Sequence, residues 1–143
     1  YPVRTRLSVS AKNYGVRQGA LLTLPVPRLI PTLYSLRGTR RTTPIWQNEI
    51  EGQNAELDIW LPKGSEIVSR PEPFKVTLPG GGVCELSLKE EHIATTGMLR
   101  LTYKVNITAS PAVLDNWLFP ACVELNRRLT APEMQTVIVR LPE

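Results

Sequence analysis

Leu99-Arg100-Leu101-Thr102-Tyr103-Lys104-Val105-Asn106-Ile107 carries apolar or aromatic residues at every odd position and polar ones at every even position. A period of two sends the two sets to opposite faces of an extended chain, so this stretch reads as a strand with one dry face. Gly97 before it and Ser110-Pro111 after it bound the longest alternation in the protein, which predicts a central strand.

The same pattern spreads outward from it. Four stretches end in Leu-Pro, at 24–25, 61–62, 78–79 and 141–142. Proline lacks a ladder N–H and biases the residue before it toward extended backbone, so an apolar run closed this way finishes as a strand. Leu57, Ile59 and Leu61 oppose Glu56, Asp58 and Trp60, and Pro62-Lys63-Gly64 turns the chain. Phe74, Val76 and Leu78 lead through glycines 80–82 to Cys84, Leu86 and Leu88, a hairpin. Val3, Thr5, Leu7 and Val9 against Arg4, Arg6 and Ser8 predict a first strand, Ala20–Leu24 a second after turn residues at 13–15 and 18–19, and Thr32–Leu36 a third. Arg41–Trp46 is extended but contains Pro44, which suits an edge or bulged strand. Thr136–Leu141 closes the chain as a strand.

One stretch looks helical. Ser110 is placed as an N-cap with Pro111 in the first turn, and Leu114, Leu118, Cys122, Leu125 and Leu129 recur at helical spacing, with Pro120 expected to kink or split the helix. Together these elements predict an all-β fold, an immunoglobulin-like antiparallel β-sandwich with one short helical excursion, in a single domain over residues 1–143.

Composition agrees. A chain of 143 residues with 42% apolar and 21% charged residues, 13 prolines and 9 glycines favours many short elements. It is long enough to bury roughly two-thirds of its unfolded surface without staples. No apolar run reaches the length of a membrane span, so no membrane insertion is expected, and Tyr1–Arg6 is too polar for a signal peptide. The start at Tyr1 reads as a piece of a longer precursor. The net charge of +4 comes from 12 arginines and 5 lysines, and Arg28, Arg37, Arg40 and Arg41 have no acid between them. Nucleic-acid binding is not expected: recognition spacings are lacking, and Glu49, Glu51, Glu56 and Asp58 follow closely enough to offset the field.

Catalytic inventory is thin. His92 is the only histidine, and on one extended strand it lies about 26 Å from Cys84, beyond any dyad. Cys84 and Cys122 read as core thiols, both free, since Trp117 stands outside the position an antibody-type pair requires. No cluster suits zinc, no glycine run precedes a helix as a phosphate cradle would, and the acid pairs Glu49/Glu51 and Glu90/Glu91 sit beside turns. The expectation is a chain with no cofactor, no metal and no enzymatic activity of its own. Trp60 shares its parity with Glu56 and Asp58, away from the apolar set. It suits a sugar-stacking platform, an anchor for a neighbouring domain, or a ring covered by a loop.

The order of Arg41-Thr42-Thr43-Pro44-Ile45, Leu57-Asp58-Ile59-Trp60-Leu61-Pro62-Lys63-Gly64, the hairpin at Gly80-Gly81 and the strand Met98–Ile107 resembles the C-terminal domain of the transglutaminase-like proteins of Bacteroidetes, over nearly the whole chain. That domain has no assigned function and follows a papain-like core. The resemblance implies an accessory β-sandwich of an exported, periplasmic or cell-surface protein, whose partners are the upstream domains and whose cysteine-histidine-aspartate chemistry lies outside this chain. The expected docking surface comprises Trp60, Arg37, Arg40, Arg41 and Trp46, with a carbohydrate-binding module using Trp60 as the alternative.

Overall fold

The computed structural model describes residues 14–30, 32–47 and 49–143. In chain order the strands are β1 (Val16–Gln18), β2 (Leu21–Pro25), β3 (Ile45–Gln47), β4 (Ile50–Leu61), β5 (Glu66–Ser69), β6 (Phe74–Thr77), β7 (Gly82–His92), β8 (Leu99–Ala109), β9 (Ala112–Leu114) and β10 (Thr136–Arg140). Helix α1 (Phe119–Leu129) precedes the last strand, flanked by 3-10 turns at Asn116–Leu118 and Pro132–Met134. The strand expected at Val3–Val9 lies outside the described residues.

All pairings are antiparallel. Among the described residues one sheet runs β4-β8-β7-β6, another β1-β2-β10-β5, and β3 pairs with β9. The alternating stretch forms β8, flanked on both sides; Leu101, Tyr103, Val105 and Ile107 are fully buried and Lys104 and Asn106 are wet, whereas Thr102 on the outer side is buried as well. Burying each of its aliphatic side chains is worth roughly 1.5–3 kcal/mol. Both four-stranded sheets, α1 and the segment carrying Leu33 and Tyr34 contribute to one contiguous core.

The Leu-Pro steps end strands as expected, within a residue or so, at Pro25, Leu61, Thr77 and Arg140. In the predicted hairpin Phe74 opposes Leu86 and Val76 opposes Cys84. At its turn Gly82 has φ +104°, and a Cβ there would come within 2.8 Å of Ala109 Cα, so the close pass of β8 requires glycine.

Two expectations fail. Thr32–Leu36 forms no strand, because Leu33 and Tyr34 are buried in succession and the Tyr34 carbonyl accepts from Asn126 Nδ2 of α1 at 2.8 Å instead of joining a ladder. The helix does not begin near Ser110: residues 112–114 are strand β9, and Pro120 occupies the first turn of α1, where no intrahelical N–H is needed. Pro120 therefore starts the helix and does not kink it. Strands β1 and β5 were not anticipated, since runs of three and four residues are too short to display a period. Among the described residues no helix is long and apolar enough to cross a membrane.

Candidate interaction face

Strand β3 is short and follows Pro44. Ile45 and Gln47 point into the core and Trp46 points out, 59% exposed. Its register partner on β9 is Val113, 62% exposed, so an aromatic and a β-branched side chain lie side by side on the wet face. Four residues on, Trp117 is 71% exposed, its indole N–H donating to Asp115 Oδ2 at 3.2 Å. Trp46 and Val113 thus form an exposed apolar pair, and Trp117 follows them in the 3-10 turn.

Beneath them the short strand pair is bolted down. The Gln47 side-chain oxygen accepts from Tyr34 Oη at 2.7 Å and from the Gly80 backbone N–H at 3.2 Å. Its amide nitrogen donates to the Ser110 carbonyl at 2.9 Å and the Gly81 carbonyl at 3.0 Å. All four hydrogen-bonding capacities are satisfied in a residue that is 2% exposed, which joins β3, the β6–β7 turn and the β8–β9 junction.

The expected surface residues divide between two places. Arg37 and Arg40 are exposed, and Arg41 donates to the carbonyls of Thr43 and Pro44, both at 3.1 Å, in the segment that leads into β3. Trp60 is half-exposed near the far end of β4, some ten residues or roughly 33 Å beyond Ile50. There the Arg100 guanidinium lies 5.1 Å over its ring and makes a two-pronged pair with Asp58, at 3.0 and 2.7 Å. These bonds, with one from Thr102 Oγ1 at 2.7 Å, hold the Asp58 carboxyl below the usual range. Trp60 therefore belongs to a cross-strand cluster on the outer face of β4 and β8, and Trp46 to the face at β3 and β9.

Both cysteines are free and fully buried, and desolvation pushes the Cys84 thiol up to about 11 and raises that of Cys122. Such thiols are not nucleophiles at neutral pH. Cys84 and His92 occupy β7 eight residues apart. A surface groove of about 240 Å³ between α1 and residues 70–74 is lined by arginines that are already engaged. Arg70 pairs with Glu90 at 3.1 Å, Arg127 with Glu124 at 2.6 Å, and Arg128 stacks over Phe74 at 5.5 Å. A cavity of about 20 Å³ beside Tyr103, whose buried hydroxyl has no protein partner, is too small for anything beyond a water.

Sequence reasoning missed Val113 and Trp117 by placing both inside a helix. The signal that would have found them is Asp115-Asn116 followed by Pro120, a start pattern that puts the helix after residue 115 and leaves 112–114 extended. Nothing in the sequence marks Gln47. No protein-family model matches the chain, and neither a curated protein nor a solved structure matches it.

Proposed function

We propose that the chain is a non-catalytic accessory module, an immunoglobulin-like sandwich that docks other domains of its own polypeptide in an exported transglutaminase-like protein. The observation that carries the interaction reading is the exposed pair Trp46 and Val113 on a strand pair fixed from beneath by Gln47, with the exposed Trp117 in the 3-10 turn that follows. Large aromatic side chains held rigidly at a surface lose little entropy on contact and commonly dominate interfaces. The parent assignment is supported by the motif order from Arg41 to Ile107. Sugar binding through Trp60 is less favoured, because Arg100 already occupies one face of that ring.

The test is the upstream reading frame, expressed as a separate protein and mixed with this chain. A cysteine-histidine core should be encoded there, and co-elution should weaken at least tenfold with Trp46→Ala and Trp117→Ala. Glycan binding abolished by Trp60→Ala and untouched by Trp46→Ala would overturn the reading.

A further inference from the structure

The small cavity beside Tyr103 is lined by Tyr103 and Val105 of β8, Leu86 of β7, and Val26, Leu29 and Ile30 of the segment that leaves β2. Three of its lining residues carry polar side chains, and two of those are served by the protein. Arg28 donates to the Ile30 carbonyl at 3.1 Å and to Thr32 Oγ1 at 3.0 Å, and Gln135 donates to the Thr130 carbonyl at 3.4 Å. The Tyr103 hydroxyl is the third. It is buried without a hydrogen-bond partner, in a residue that is 1% exposed.

Burial raises the pKa of this phenol, so it stays protonated at neutral pH and is a donor that lacks an acceptor. Native structures pair nearly all such buried groups with protein or with ordered water, because an orphan is costly. The facing segment has acceptors to offer. Among the described residues its main chain makes one bond to another element, from the Val26 N–H to the Gln135 carbonyl at 2.7 Å, and the carbonyls of Pro27, Arg28 and Leu29 receive no protein donor. Tyr103 reaches none of them directly. About 10–15 Å³ suffices for one water, so the space of about 20 Å³ between them fits one.

We infer that this cavity is a binding site for a single water molecule, which accepts from the Tyr103 hydroxyl and donates to the main chain of Val26–Ile30. With those contacts the water has the two to four polar partners that a buried water requires. It ties an interior strand to the start of the long link between β2 and β3. Farther along that link direct bonds take over, from the Tyr34 hydroxyl to Gln47 and from Asn126 to the Tyr34 carbonyl. A metal ion suits the site less, since no carboxylate or histidine lines it.

Two measurements on the full chain test this. A high-resolution crystal structure should show a solvent peak about 2.6–3.2 Å from Tyr103 Oη and within the same reach of a carbonyl in Val26–Ile30. Tyr103→Phe removes the hydroxyl alone, and its melting point should fall by about 2–4 °C with the peak weakened or lost. A hydroxyl with no water behaves in the opposite sense, because deleting it relieves a buried orphan. No peak beside Oη, or a protein acceptor in its place, would overturn the water whatever the melting point. A melting point that holds or rises in Tyr103→Phe would overturn the tie even with a peak present.

Discussion

Replacing Gln47 by methionine keeps the volume and removes all four hydrogen bonds of the bolt under β3. The partners differ in what they can recover. Tyr34 Oη, in a residue 1% exposed, is left without an acceptor, and the half-buried Gly80 N–H loses its own. The Gly81 carbonyl keeps the Ser110 N–H at 3.3 Å, and Ser110 is exposed enough for water to serve its carbonyl. One fully orphaned hydroxyl costs about 1–3 kcal/mol and each lost net hydrogen bond about 0.5–1.5, so the substitution should cost about 2–4 kcal/mol in all. With a urea dependence of about 2 kcal/mol per molar, the unfolding midpoint should fall by about 1–2 M. Tyr34→Phe alone should cost about 1 kcal/mol, because the Gln47 oxygen keeps Gly80. In the Tyr34→Phe background Gln47→Met should cost less than in the wild type, since the orphan is then gone. A midpoint within 0.2 M of wild type, or a cost independent of background, would refute the account of Gln47 as the bolt.

Gly82→Ala should destabilise by more than about 2 kcal/mol, because its added Cβ meets the backbone of Thr108 and Ala109 at a left-handed φ. Gly52→Ala, at φ +41° with open space around it, should cost about 1 kcal/mol, and equal melting points for the two variants would contradict the close pass of β8. The Asp58 carboxyl titrates below its unfolded value, so its stabilisation is present above about pH 4 and lost as pH falls through the folded value. Asp58→Asn should flatten the stability profile in that acid window, and an unchanged slope would remove Arg100 and Thr102 as the cause. Cys84 behaves in the opposite sense: its neutral thiol supports the fold below about pH 8.5, and that support declines as pH rises toward about 11. A thiol reagent at pH 7.5 should label neither cysteine in the native chain and both after denaturation, whereas fast native labelling would show that the core is open.

The candidate face was legible only in part. Period-two patterning exposed Trp60 correctly as an outward residue, and the arginines between 28 and 41 are plain in composition. Which arginines and tryptophans are neighbours was not, because proximity depends on strand pairing across long separations: Trp46 finds Val113 sixty-seven positions away through a three-residue ladder. Val113 reaches that ladder only because the chain between Ser110 and Phe119 is strand and 3-10 turn where spacing suggested a helix. Leucines recurring every three or four residues were compatible with either structure, and tertiary contacts decided between them.

By itself the chain determined the long strands, their wet and dry faces and most of their ends, since alternation and Leu-Pro steps act through local sterics and solvent contact alone. Packing decided the rest. Thr32–Leu36 became an irregular segment because the Tyr34 carbonyl and hydroxyl found partners on α1 and β3, and a glutamine silent in the sequence became the joint of three segments. Such bonds link residues from 13 to 92 positions apart, and no local pattern encodes a contact that exists only once the sheets have closed around it.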